Sequence, residues 1–112
     1  MAARQAERHE VGRAGEAAIV EITGGTATTH KAPFDVVDFA SGVAYEVKTM
    51  SALSKDLKIH IAPASMAKKR AFARRYGLKA ILFAVVIYDE DTVKVYKSPL
   101  KASIRVNQMK AI

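Results

Sequence analysis

The stretch 33–49, PFDVVDFASGVAYEVKT, consists of two β-rich runs separated by a turn signal. The runs, 34–40 and 43–49, are rich in valine and aromatic residues, which are typical of strands. Ser41 and Gly42 lie between the runs, and glycine is a common residue of tight turns. The stretch therefore predicts a β-hairpin within a sheet.

The register of this hairpin decides which charged side chains share a face. If the turn has two residues, Asp35 lies opposite Lys48, and Glu46 lies two residues before Lys48 on the same face. Asp35 and Glu46 are then diagonal neighbours, roughly 7–8 Å apart at the backbone. A three-residue loop would reverse the parity of the pairing and select Asp38 instead. The sequence favours the cluster with Asp35 and leaves Asp38 as the alternative.

Two carboxylates and an ammonium on one face suit the hydrolysis of phosphodiester bonds. Paired carboxylates bind Mg²⁺, which keeps several waters and accepts phosphate oxygens. The cation polarises the phosphodiester and lowers the pKa of a bound water, and a nearby ammonium orients that water and stabilises developing charge. We therefore expect Asp35 and Glu46 to bind Mg²⁺, with Mn²⁺ as a substitute, and Lys48 to assist the water. A solvated strand face with alternating charges is the ordinary alternative.

Periodicity and chain-breaking residues predict the other elements. These are a helix over 2–22, a strand over 57–61, a helix over 64–76, an apolar central strand over 80–88 and an outer strand over 93–98. Gly77 is placed to end the second helix, and the tail from 100 to 112 is ambiguous. The order αβββαββ predicts one α/β domain over 1–112, with a mixed β-sheet flanked by helices.

Composition limits the classes of protein that the chain can belong to. With 18 Lys and Arg against 11 Asp and Glu, the net charge is +7, which favours an anionic partner such as nucleic acid. The chain has no cysteine, which excludes disulfides, thiolate zinc sites and cysteine nucleophiles. The longest apolar run, 80–88, is too short to span a membrane. Because 1–16 is too charged for a signal peptide, we expect a cytoplasmic location and no membrane partner.

The element order and the charged cluster resemble the PD-(D/E)XK nuclease superfamily, which has the restriction-endonuclease-like fold. The resemblance covers about 12–98, and the motif residues match as Asp35, Glu46 and Lys48. The chain departs from the family where a phenylalanine separates the proline and the aspartate that are often adjacent. The small size and the glycine-rich first helix look most like archaeal Holliday-junction resolvases.

The resemblance implies further ligands and a role for each motif residue. In the family the Asp and the Glu bind the metal and the Lys assists the attacking water. The main-chain carbonyl of the residue between Glu and Lys, here Val47, often adds a ligand. Several branches place a Glu on the first helix, and Glu16 in the stretch GRAGE, 12–16, is similar to it. Glu16 is therefore expected to be an extra metal or water ligand, although a solvated side chain is usual in mid-helix.

Basic residues on and before the second predicted helix are candidates for phosphate contacts. Such contacts position a nucleic acid without reading its sequence. A solvated helix with its lysine stems along the surface is the alternative. The predicted DNA-binding residues are Lys55, Lys58, Lys68, Lys69 and Arg70.

These expectations combine into one functional hypothesis and two rivals. The hypothesis is a Mg²⁺-dependent endonuclease that acts on DNA, including branched or Holliday-junction-like DNA. A homodimer is expected because a small chain needs a second copy to surround a duplex, with the strand over 93–98 or the tail supplying the contact. The first rival is a non-catalytic nucleic-acid-binding or assembly module that retains the nuclease fold. The second is a basic structural protein that binds no divalent metal.

Overall fold

A computed structural model describes residues 2–29, 32–53 and 57–112, with side chains of the first helix described from Gly12 onward. The predicted phosphate contact at Lys55 lies outside these residues. In chain order the elements are α1 (Ala2–Thr23), β1 (Thr26–Ala27), β2 (Val36–Asp38), β3 (Val43–Ser51), β4 (Lys58–His60), α2 (Pro63–Tyr76), β5 (Lys79–Ile87), β6 (Val93–Pro99), β7 (Ser103–Arg105), a 3₁₀-helix (Val106–Gln108) and β8 (Lys110–Ala111).

Most strands of the described chain join one mixed sheet in the order β1-β2-β3-β5-β6-β8. Strands β3 and β5 are parallel, and the other neighbours are antiparallel. Helix α2 lies in the connection between β3 and β5, as a parallel pair requires a crossover. The predicted α/β class with a mixed sheet and flanking helices is confirmed.

Strand β5 is apolar throughout because both of its faces are covered. Leu82, Ala84 and Val86 belong to the core on the α2 side, and Phe83 and Val85 belong to the core on the α1 side. A strand buried on both faces has no polar alternation, which is why its sequence reads as a continuous apolar run. The predicted central strand is confirmed.

Three parts of the predicted strand arrangement need correction. Strand β4 pairs with β7 in a separate two-stranded sheet, with Ile59 opposite Ile104, instead of joining the main sheet. Strand β1 lies between α1 and the hairpin, where the sequence patterns indicated no strand, and the ambiguous tail supplies β7 and β8. Strand β6 is not outermost, because β8 pairs with it at Tyr96 and Lys97. Such short strands depend on tertiary pairing, which local sequence does not specify.

Helix α2 has its predicted end. Gly77 adopts a left-handed conformation with φ +64°, and its N–H donates to carbonyls of the last turn. Glycine accepts this conformation without the steric cost of a Cβ. The buried residues of α2 are Met66, Lys69 and Ala73, at spacings of three and four. Lys69 therefore lies on the face that packs against the sheet.

Helix α1 packs closely on β3 at a glycine. A Cβ on Gly15 would overlap with the Thr49 hydroxyl, so only glycine allows the two elements to approach this closely. One turn further along, Ile19 is fully buried in the core on this side of the sheet. The contact fixes the position of the neighbouring residue, Glu16, relative to β3.

Candidate functional site

The hairpin of β2 and β3 has a register that differs by two residues from the predicted one. Val37 pairs with Ala44 and Asp38 pairs with Val43, so the same ladder continued toward the chain start places Asp35 opposite Glu46. The prediction of Asp35 opposite Lys48 is therefore wrong. The loop 39–42 has four residues instead of two. Because the loop is longer by an even number of residues, the face shared by Asp35 and Glu46 is preserved.

The longer loop is stabilised by the alternative candidate, Asp38. The Asp38 Oδ1 atom accepts a hydrogen bond of 3.1 Å from the N–H of Ser41. Hydrogen bonds from the Ser41 side chain and N–H hold the pKa of Asp38 below its usual range. Gly42 closes the loop with φ +71° and an N–H bond of 3.3 Å to the Phe39 carbonyl. Asp38 thus serves the turn, and the carboxylate that meets Glu46 belongs to Asp35.

The Asp35 carboxylate is fixed against β3 by the backbone. Its Oδ2 atom accepts a hydrogen bond of 2.9 Å from the N–H of Val47. Its own N–H donates to the Tyr45 carbonyl at 3.1 Å. Two backbone groups of β3, one on each side of Glu46, therefore position Asp35 beside that residue. The resemblance implies only that the carbonyl of Val47 is a metal ligand. The hydrogen bond from the Val47 N–H to Asp35 is an additional role of this residue.

Glu46 is buried and forms an ion pair with helix α2. Its side chain is 4% exposed, and Oε2 lies 2.6 Å from Lys69 Nζ. Lys69 is 6% exposed and also donates to the Pro33 carbonyl. This is the only ion pair between side chains in the described parts of the chain. The prediction that Lys69 lies on a DNA-contacting surface is wrong, because its ammonium is directed into the sheet.

Two carboxylates share this buried place, and one of them resists ionisation. Burial, followed by the hydrogen bond and the charge of Asp35, raises the pKa of Glu46 from 4.5 to about 7, although Lys69 opposes the shift. Two carboxylate oxygens in hydrogen-bond contact require a proton or a cation between them. The Lys69 ammonium alone therefore does not neutralise the pair.

Glu16 on α1 interacts electrostatically with Asp35. Burial and the negative charge of Asp35 raise the pKa of Glu16, and Arg13 partly opposes this. The charge of Asp35 thus reaches Glu16, and the expected role of Glu16 as a metal or water ligand stays a prediction. Lys48 lies two residues after Glu46 on β3 and is half-buried, and strand alternation places it on the same face.

The donor set fits a hard divalent cation held by two carboxylates. Within residues 12–29, 32–53 and 57–112, no group of three carboxylate, imidazole or thiolate side chains is arranged to hold a metal ion. Mg²⁺ is usually bound through one or two carboxylates and keeps several waters. Asp35 and Glu46 supply two such oxygen donors, and the excess negative charge of the pair favours a cation. The pair therefore fits Mg²⁺, with Glu16 adding negative charge nearby.

The remaining predicted DNA contacts are exposed but belong to two separate elements. Lys68 and Arg70 lie on the outer surface of α2, and Lys58 lies on β4 in the small sheet. Opposite Lys58 on β7 is Arg105, a basic residue that the sequence analysis did not single out. The pairing of Arg105 with Lys58 could not be predicted, because the sequence of the tail, 100–112, did not indicate a strand.

Comparisons with known proteins add no family to this description. No protein-family model matches the chain, and no curated protein matches it. Neither helix in the described residues is both long enough and apolar enough to cross a membrane.

Proposed function

We propose that the chain is a metal-dependent nuclease that hydrolyses phosphodiester bonds of DNA, with a PD-(D/E)XK-type site on a restriction-endonuclease-like fold. The observation that carries the proposal is the meeting of Asp35 and Glu46 across the hairpin, with Lys48 on the same face of β3. A buried carboxylate held against a second carboxylate is costly for stability, and such perturbed groups cluster at functional sites. The pair is thus more easily explained by chemistry than by folding.

The arrangement of elements supports the same proposal. Helix α1 precedes the hairpin, α2 connects β3 to the parallel strand β5, and Glu16 of α1 interacts electrostatically with Asp35. These are the elements on which the resemblance places its motif residues. The small β4–β7 sheet and strand β8 are additions to that pattern.

Each residue of the proposed site has a distinct task. Asp35 and Glu46 would hold Mg²⁺, which when bound supplies an acidic water and neutralises charge on the phosphate. The Lys48 ammonium orients the attacking water and stabilises the negative charge that develops on the phosphoryl oxygens. The Val47 N–H keeps one oxygen of Asp35 in place. Lys69 holds one oxygen of Glu46 and so fixes that side chain beside Asp35.

A second candidate function is a DNA-binding or assembly module that does not cleave. The observation that favours it is the ion pair itself, because Lys69 already supplies a cation to Glu46. In such a protein the ammonium would replace the metal permanently. Mg²⁺ would then neither bind nor support hydrolysis.

A homodimer remains part of the proposal. The exposed apolar residues of the described chain include Phe39, Val93 and Ile112, which are available for a contact between copies. Since β8 covers part of β6, the contact would use the edge beyond β8 or the hairpin loop. Light scattering across a concentration series would detect the dimer, and a monomer at every concentration would exclude it.

The proposed function is tested by neutralising each hairpin carboxylate in turn. Asp35→Asn and Asp38→Asn remove the same charge from the same hairpin, but only Asp35 meets Glu46. We expect Asp35→Asn to abolish cleavage of a panel of branched, duplex and single-stranded DNA in Mg²⁺, and Asp38→Asn to retain it. Cleavage that survives EDTA, or that is lost only in Asp38→Asn, would contradict the proposal.

A further inference from the structure

A cavity of about 320 Å³ lies where the small β4–β7 sheet meets the end of β5, and no role has been assigned to it. Leu57 and Val106 provide its apolar lining. The rest of the lining consists of Asn107 and of two basic and two aromatic side chains, from Lys58, Arg105, Tyr88 and Tyr96. The volume is at the lower end of the range for pockets that bind small molecules, roughly 300–1,000 Å³.

The basic side chains of the cavity are placed at a cost to stability. Lys58 and Arg105 are directly opposite each other in the antiparallel β4–β7 pair, and both are exposed. Like charges in this relation repel and destabilise a sheet. No carboxylate of the described chain forms an ion pair with either residue. An anion with several oxygens, such as a phosphate group, could accept hydrogen bonds from both side chains and would offset their repulsion.

The aromatic side chains offer a surface for a planar ring. The hydroxyls of Tyr88 and Tyr96 are 3.1 Å apart, so the two side chains are held together. Tyr88 is 39% exposed, and the ammonium of Lys94 lies 5.1 Å from the centre of its ring. Exposed aromatic rings beside cations are the usual means by which proteins bind unpaired nucleotides, with the base stacked on the ring and the phosphate on the cation.

The cavity lies along the same face of the sheet as Lys48. Lys48 pairs with Ala84 on β5, and Ala84 pairs with Tyr96 on β6. Two strand spacings separate the backbones of Lys48 and Tyr96, which is about 10 Å. A phosphodiester at the proposed site and a nucleotide in the cavity can therefore belong to the same short stretch of one unpaired strand.

We propose that this cavity binds an unpaired nucleotide of a nucleic-acid strand, with its phosphate on Lys58 and Arg105 and its base against Tyr88 and Tyr96. Bases within a duplex are stacked on each other and cannot occupy it. The binding itself does not require cleavage. Its consequence, that the preferred substrate carries a single-stranded segment, rests on the proposed nuclease function.

The test measures binding of fluorescent single-stranded and duplex oligonucleotides of equal length to the whole chain in EDTA. Tyr88→Leu removes the ring, and we expect it to weaken single-strand binding about tenfold or more and to leave duplex binding unchanged. The double variant Tyr88→Phe with Tyr96→Phe keeps both rings and loses only the hydroxyls. It should bind single strands within about threefold of the unaltered chain, because stacking needs the ring alone.

A second pair of variants tests the phosphate contact and does not depend on the aromatic residues. Arg105→Ala removes an exposed charge at the cavity, and Lys79→Ala removes an exposed charge at the other end of β5, which does not line the cavity. For single strands the slope of log K against log salt should fall by about 0.7 in Arg105→Ala and stay unchanged in Lys79→Ala. Equal effects of the two variants would show only general electrostatic attraction and would overturn the proposal.

Further outcomes separate this inference from its alternatives. Unchanged single-strand binding by a folded Tyr88→Leu chain would overturn it, as would competition by a free mononucleotide or inorganic phosphate as strong as that of the oligonucleotide. If the oligonucleotide binds through the cavity but no DNA is cut in Mg²⁺, the inference stands and the nuclease proposal fails. If DNA is cut in Mg²⁺ but the cavity variants bind every substrate normally, the nuclease proposal stands and the inference about the cavity fails.

Discussion

The carboxylate of Glu46 and the ammonium of Lys69 form a buried ion pair beside a second carboxylate, with Oε2 and Nζ 2.6 Å apart. The pair connects β3, which carries the candidate site, to α2, which covers that face of the sheet. The pKa of Glu46 is nevertheless raised to about 7, since burial and Asp35 together outweigh Lys69. The stability of the fold and the proposed binding of a cation therefore involve the same three side chains.

The first prediction concerns the stability that Lys69 provides. Lys69→Met leaves Glu46 buried without its cationic partner, which should lower the free energy of unfolding by about 3 kcal/mol near pH 8. Denaturant unfolding measures this, with Lys68→Met as the control because Lys68 is exposed on the same helix. The control should change stability by no more than about 0.5 kcal/mol. Adding Glu46→Gln to Lys69→Met should recover part of the loss, and strict additivity of the two changes would contradict a direct interaction.

The second prediction concerns pH. The folded-state pKa of Glu46, about 7, is above its usual 4.5, so the folded chain binds more protons than the unfolded chain between these values. Stability should therefore be greatest at the acid end of this window and fall as the pH rises through it, by roughly 3 kcal/mol at most. The raised pKa of Glu16 acts with the same sign.

Unfolding measured as a function of pH tests this expectation. In Glu46→Gln the decline between about pH 4.5 and pH 7 should become much shallower, because glutamine does not titrate. Glu90→Gln, which changes an exposed residue in the turn after β5, is the control and should leave the decline intact. A stability that rises with pH across this window in the unaltered chain would contradict the assignment of the shift.

The third prediction concerns the metal itself. Mg²⁺ binding must displace the proton that Glu46 carries below its raised pKa of about 7, so it should raise the melting temperature more near pH 8 than near pH 6. Asp35→Asn should abolish this stabilisation, whereas Asp38→Asn should keep it, since Asp38 serves the loop. Calorimetric titration should also detect protons released to the buffer on binding. Equal Mg²⁺ stabilisation of both variants would place the metal elsewhere.

The fourth prediction concerns the approach of α1 to β3. Gly15→Ala places a methyl group onto the Thr49 hydroxyl, so it should destabilise the fold and displace Glu16 from the site. Gly12→Ala is the matched control, because a Cβ there meets no atom within 4 Å. It should stabilise the helix by about 0.5–1 kcal/mol. Thr49→Ala combined with Gly15→Ala should restore much of the loss, and failure to do so would place the cause elsewhere.

Local sequence patterns predicted those elements whose burial or chain-end geometry leaves a direct mark on the sequence. The apolar run of β5 indicates burial on both faces, and Gly77 supplies the left-handed residue that ends α2. The register of the hairpin could not be derived in the same way. The pairing depends on whether the Asp38 carboxylate accepts a hydrogen bond from the N–H of Ser41 and so stabilises a four-residue loop. A two-residue turn is equally compatible with the amino-acid sequence. Asp35 and Glu46 share a face for any loop with an even number of residues, so the exact loop length was not needed to predict that they lie together.

Lys69 shows a different limit. Its spacing from Met66 and Ala73 assigns it to the buried face of α2, but in a helix with five basic residues a lysine is normally expected in solvent. The partner that makes its burial tolerable is on β3, far away in the sequence. The pairing of Lys58 with Arg105 could not be predicted for the same reason, since it joins two short strands that α2, β5 and β6 separate in the sequence.

The central claim is that Lys48 acts in the chemical step of DNA hydrolysis at the Asp35–Glu46 site. Single-turnover cleavage with saturating enzyme and Mg²⁺ measures that step, and DNA affinity is measured separately in Ca²⁺. Lys48→Ala should lower the cleavage rate constant by on the order of 10²–10³ and change the affinity little, because the ammonium acts mainly in the transition state. Lys97→Ala, which removes an exposed charge from β6, should cut at the unaltered rate. Absence of Mg²⁺-dependent cleavage of every DNA substrate by the unaltered chain, or cleavage by Lys48→Ala at the unaltered rate, would contradict the claim.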